Sequence, residues 1–168
     1  MQKQLADLRD EVLLLRQKLI SLETALKFDE YQLKNKQERQ DSIVLNLAEH
    51  TFQRLDTDSG FFLISVKEAV PYLNGYKLHL NIGNPLSASY SGVKVKARWA
   101  QAYNYTKYTE ASFDEWQKSI QEKETSLVDV LDAGTWNNVE VILAPATTEQ
   151  LGFVTLSIST DTVRLIVK

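Results

Sequence analysis

The sequence predicts a mainly β protein, in which one long N-terminal α-helix of coiled-coil type precedes an antiparallel β-sandwich of immunoglobulin-like or fibronectin-like form with a short crossover helix. Three observations lead there. The first glycine is Gly60 and the first proline Pro71, so the opening third lacks the strongest chain punctuators. Within that third a leucine or valine recurs at nearly every third or fourth position. From Ser42 onward the apolar period shortens to two, and Gly, Pro and Asn turn signals break the chain into short runs. The change of period divides the chain into a helix over 1–41 and a β domain over 42–168.

The helix carries a heptad. With Leu5 at position a, Leu5, Val12, Leu19, Leu26 and Leu33 occupy a, while Leu8, Leu15, Leu22 and Asp29 occupy d. Eight of these nine positions are apolar, which is the seam a 3.5-residue repeat needs. Across a parallel pair Glu11 at g faces Arg16 at e, and Lys18 at g faces Glu23 at e, both attractive. The eight apolar seam residues are therefore the candidate oligomerisation surface. Leu13, Leu14 and Ile20 fall at b and c and widen the stripe, which also suits a trimer, a tetramer or a helix laid on its own β domain.

"SIVLNLA" alternates Ile43, Leu45 and Leu47 with polar neighbours, "TFQRLD" is a second short segment, and "FFLISVKEAV" is a strand from Phe61 to Val70. A tight turn at Asn74-Gly75 leads into a strand alternating Tyr76, Leu78, Leu80 and Ile82 with Lys77, His79 and Asn81. It stops at Asn84-Pro85, since proline cannot donate to a ladder. After a turn at Ser91-Gly92, Val93, Val95, Ala97 and Trp99 share the core face, and Lys94, Lys96 and Arg98 the wet one. Ser112 followed by Glu115 matches a capping box, with Phe113, Trp116 and Ile120 at helical spacing, so a short helix is expected in the crossover. "TSLVDVL", a turn at Ala133-Gly134, "WNNVEVILA" ended by Pro145, "FVTLSIS" and "TVRLIV" complete about eight strands.

Little in the chain announces chemistry. The formal net charge is -3, without the clustered Lys and Arg that nucleic acid requires. There is no cysteine, so disulfides, thiolate metal sites and cysteine nucleophiles are excluded. His50 and His79 stand apart, and no HExxH, GxSxG, P-loop or GxGxxG occurs. The expectation is a protein that is not an enzyme and uses no cofactor or metal. The richest aromatic segment, "WAQAYNYTKYTEASFDEW", suggests core roles for Trp99 and Trp116, and makes Tyr103, Tyr105 and Tyr108 either an edge-strand lining or a partner-binding edge.

The runs "GYKLHLNIGNPLSASYSGVKVKARW" and "GTWNNVEVILAPATTEQLGFVTLSI" resemble the C-terminal domain of uncharacterised Gram-negative envelope lipoproteins, a family known only as a domain of unknown function. Asn84-Pro85-Leu86, Ser91-Gly92 and Thr148 to Val154 carry the resemblance, which spans roughly Phe61 to Val167. In outline it is also similar to the Asn-Pro-containing sandwich of late-embryogenesis-abundant type proteins. The lipoprotein resemblance implies a periplasmic module held to a membrane by a lipidated cysteine, which lies outside these 168 residues. The expected role is a non-enzymatic envelope interaction or structural module. Its helix would mediate homo-oligomerisation or spacing, and its partner would be an envelope protein. The alternatives are a trimeric phage or viral fibre-type receptor binder, and a lipid- or small-molecule-binding β domain.

Overall fold

A computed structural model describes residues 1–165, giving the backbone alone for residues 31, 32 and 34–40. Two compact units emerge, Met1–Arg39 and the chain from Gln40 onward. The first is one helix, α1 (Gln2–Gln40). At 39 residues it is about 58 Å long at 1.5 Å per residue.

The second unit is an antiparallel β-sandwich. Its strands are β1 (Ile43–Val44), β2 (Gln53–Thr57), β3 (Gly60–Tyr72), β4 (Gly75–Asn84), β5 (Ala88–Ser91), β6 (Lys94–Ala100), β7 (Gln121–Ser126), β8 (Thr135–Leu143), β9 (Phe153–Ser159) and β10 (Thr162–Leu165), with α2 (Glu110–Ser119) between β6 and β7. One sheet has the order β1-β9-β6-β7, the other β2-β3-β4-β8, and β10 pairs with β5 as a ribbon. The alternation dictates what lies between the sheets. Phe62, Ile64, Leu78, Leu80, Ile82, Val139, Val141 and Leu143 come from one sheet, Val95, Ala97, Trp99, Val154, Leu156 and Ile158 from the other, and all are buried in one cluster.

The buried face of β6 is the one expected, with Lys94, Lys96 and Arg98 outward. Several elements differ from expectation, each for a local reason. Only Ile43 and Val44 of "SIVLNLA" pair as a strand, because Asn46 Oδ1 accepts from Ala48 N at 3.1 Å and turns the chain. Leu45 still reaches the core, its N donating to Val154 O at 2.8 Å.

The hairpin turn is centred on Leu73 and Asn74, with Leu73 at φ 52, and Gly75 already pairs with Tyr72. Gly75 is needed for space: a Cβ there would lie 2.1 Å from the backbone oxygen of Leu143. The crossover helix begins earlier than the Ser112–Glu115 box implies. Thr109 is its N-cap, with Thr109 Oγ1 accepting from Ser112 N and Ser112 Oγ from Thr109 N, and Ile120 lies just past its end.

Two strands escaped the sequence reading. β5 is short, and β7 is "QEKETS", which has no apolar alternation; the expected strand "TSLVDVL" is shifted, only Thr125 and Ser126 pairing in β7. β7 pairs because it is an edge strand whose charges match its neighbour, Glu124 opposite Lys96 and Glu122 opposite Arg98. Ten strands therefore stand among the described residues, where about eight were expected. The part of "TVRLIV" after Leu165 lies outside the described residues.

Asn84 joins these parts. It is 1% exposed, its Nδ2 donates to Ala88 O at 2.7 Å and Leu131 O at 3.0 Å, and its Oδ1 accepts from Leu86 N at 3.1 Å. Replacing Asn84 with leucine removes the amide donor from Ala88 O and Leu131 O, the latter still held by Tyr90 N at 3.0 Å, and takes the acceptor from Leu86 N, at a cost of about 3 kcal/mol. The melting temperature of Asn84→Leu should fall by about 10 °C, read by circular dichroism, for a protein of this size.

Candidate functional site

Two surfaces correspond to the sequence-predicted sites. The first is the seam of α1. Leu5, Leu8, Val12, Leu15, Leu19, Leu22, Leu26 and Leu33 are each between 46% and 64% exposed, as are Leu13, Leu14 and Ile20. An isolated helix gains nothing from such a row, which makes it the candidate oligomerisation surface.

The second is an aromatic spur built by the segment between β6 and β7. A 3-10 turn (Tyr105–Lys107) capped by Asn104 precedes α2. Tyr103 is the hub. Its ring centroid lies 5.0 Å from Tyr105, 5.2 Å from Phe113 and 5.4 Å from Trp116, and its hydroxyl pairs with Ser112 Oγ at 2.8 Å. Trp116 is half-buried here, donating Nε1–H to Gln101 O at 2.7 Å and packing on Phe153 at 5.0 Å. Its expected place in the sandwich core is therefore corrected: Trp99 fills the core, at 1% exposure, and Trp116 pins the spur. The three tyrosines divide accordingly. Tyr103 holds the spur together, while Tyr105 and Tyr108 are exposed at 71% and 58%.

The histidines are taken up by structure. His50 Nδ1 donates to Val66 O at 2.8 Å, and His79 Nδ1 lies 3.5 Å from Glu140. Lys77 Nζ contacts the same carboxylate at 2.9 Å, and this hydrogen bond holds Glu140 below its ordinary 4.5 and raises Lys77. Among the described residues no His, Asp and Glu cluster is arranged to hold a metal ion, and no helix is long and apolar enough to cross a membrane. A cleft of about 310 Å³ between the β2–β3 turn and strands β6, β7 and β9 is lined by hydroxyls of Thr57, Ser59, Ser157 and Thr160, with Asp41, Asp58, Lys96 and Glu124.

With this geometry in hand, the chain can be set beside known proteins. It shares its fold with two bacterial lipoproteins. One is the trimeric lipoprotein SadB of Salmonella enterica, at TM-score 0.72 and 19% identity over 98% of this chain and 87% of that one. The other is the uncharacterized lipoprotein YajI of Escherichia coli, solved by NMR, at TM-score 0.51 and 18% identity over 82% of this chain and 79% of that one. No family model and no curated protein matches the chain. The fold likeness bears out the resemblance read from "NIGNPLSASYSG" and the later "TEQLGFV" stretch, and it covers nearly the whole chain with its helix.

Two outcomes follow from the geometry. Tyr103→Ala should loosen the spur and speed proteolysis between 101 and 119, whereas Tyr105→Ala should leave the digestion pattern unchanged. By NMR titration Glu140 should lose its proton below pH 4.5 in the native protein and return toward 4.5 in Lys77→Met. Because the folded value is the depressed one, the stabilisation from this pair is present above the unfolded value and is lost as pH falls through the folded value.

Proposed function

We propose that the protein is a non-enzymatic envelope module, a lipoprotein-type homotrimer in which three copies of α1 zip into a parallel stalk carrying three β-sandwich heads. The observation that carries this reading is the exposed a and d row of α1, Leu5 to Leu33, on a chain whose fold matches a lipoprotein described as trimeric. Burying the exposed part of eight such side chains is worth on the order of 10 kcal/mol per chain. That is comparable to the cost of association, so the seam needs its full length. Leucine at both a and d permits three strands, and the Glu11 to Arg16 and Lys18 to Glu23 contacts favour the parallel arrangement.

Mechanically, the stalk sets distance and copy number. With the lipid anchor that this reading supposes, the helix, about 58 Å long, would act as the spacer. The heads would then offer their outer faces and the tyrosine-tipped spur to an envelope protein. Tyr105 and Tyr108 suit such a contact because tyrosine provides amphipathic area at low entropic cost.

Sedimentation equilibrium of residues 1–168 beside residues 42–168 tests this reading. The longer chain should be three times its monomer mass and the shorter one monomeric, and Leu15→Asp with Leu19→Asp should return the longer chain to monomer. Monomers for both chains at high concentration would sink the proposal.

A further inference from the structure

The outer face of the β2-β3-β4-β8 sheet carries two side-chain bridges across its middle strands. Trp136 comes from β8, at one edge of the sheet, and Phe52 immediately precedes β2, at the other edge. Their rings meet with centroids 4.9 Å apart at 48°. The indole lies on Gly83 of β4, where a Cβ would stand 2.3 Å from Cζ3, so only glycine leaves the ring room to lie down. With one ring face on the sheet, Trp136 remains 52% exposed and Phe52 55%.

The second bridge runs alongside it. Asn138, two residues after Trp136 on the same face of β8, accepts through Oδ1 from Lys67 Nζ of β3. Between the bridges the register places Asn81, opposite both Asn138 and Ser65. The result is a shallow trough with an aromatic wall, an amide and ammonium wall, and an amide floor.

The charge around this trough identifies its class of ligand. Of the flanking carboxylates, Asp56 is held by Arg54 at 2.7 Å and Glu140 by Lys77 at 2.9 Å, while Glu68, opposite His79, is exposed beside Lys67. Lys67 and Glu68 make no ion pair among the described residues, so their charges offset each other, and Asn81 and Asn138 add neutral amides. Such a site carries no net charge from Lys67 and Glu68 together, favours neither an anion nor a cation, and presents both donors and acceptors beside an open ring face. A pyranose ring matches each of these features. Its C–H face stacks on an aromatic plane, and its hydroxyls both donate to and accept from carboxamides.

We propose that the trough of Trp136, Phe52, Asn138, Asn81 and Lys67 binds a neutral pyranose unit of a saccharide chain. The site is independent of the stalk, and each head carries one. The strand direction of β8 lets a linear saccharide run on past Asn138, with the next sugar over the Lys77–Glu140 pair.

The test uses the full chain with chitotetraose and cellotetraose as probes. Trp99 is buried and Trp116 is half-buried in the spur, so protection of Trp136 from acrylamide quenching is read as the part of the signal lost in Trp136→Ala, beside NMR shifts of the Asn81 and Asn138 side-chain amides. At least one of the two sugars should bind with a Kd of about 1 mM or below. Trp136→Ala and Asn138→Ala should each weaken that binding by about tenfold or more, the value of one well-made contact. Since Trp136→Ala also uncovers Gly83, Phe52→Ala serves as a second aromatic variant at an exposed position, with the melting curve of each variant recorded. No binding of either sugar at 10-fold higher concentration, or binding that Phe52→Ala and Asn138→Ala leave unchanged in folded protein, would overturn the proposal.

Discussion

The β domain depends on one satisfied amide in its interior. Asn84 ends β4 at the point where the chain must leave one sheet for the other, and backbone groups there need partners beyond the ladder. Its side chain takes up that demand from three passages at once, Leu86, Ala88 and Leu131, while its own carbonyl receives Gly134 N at 2.8 Å. Proline at 85 prevents the strand from continuing, so the amide has no competitor for this role. Tyr90 closes the same end of the sandwich. It is 1% exposed, its ring meets Phe62 at 5.0 Å, and its hydroxyl donates to Ser59 O at 2.9 Å. Burial raises the affinity of that phenol for its proton, which keeps it a donor.

With the interior closed in this way, variation is left to the surfaces, and the two sheets use theirs differently. The outer face of the β1-β9-β6-β7 sheet is a ladder of opposite charges, Lys96 to Glu122 at 3.2 Å among them, flanked by serines and threonines. Exposed ion pairs of this type add little stability, and they keep a free edge from recruiting another strand. The outer face of the other sheet instead gathers aromatic rings over a glycine. An exposed tryptophan held flat by the absence of a side chain beneath it is a rigid surface, and rigidity reduces the entropy lost on contact.

Helix α1 and the β-sandwich obey different energetics. A sandwich with a shared core of more than twenty buried apolar side chains folds on its own account. A single helix with its leucines in water has only hydrogen bonds and propensity in its favour, and draws its stability from whatever covers the seam. In the proposed reading copy number and reach belong to α1, and recognition belongs to the head. The proposed trough and the exposed tyrosines of the spur both lie on the head.

Much of this protein was determined locally by its sequence. The absence of Gly and Pro before residue 60 with a 3.5-residue leucine repeat makes α1, and strict alternation in "YKLHLNI" and "VKVKARW" makes β4 and β6 with the correct faces inward. Those signals are legible because helix and strand periods depend on near neighbours. What only the tertiary structure decided rests on partners far apart in the chain. β7 is a strand because β6 lies beside it with matching charges, and Trp116 belongs to the spur because Tyr103 and Phe153 meet it there. Trp136 lies flat because Gly83 comes opposite it in the register, a pairing across 53 residues that no local pattern encodes.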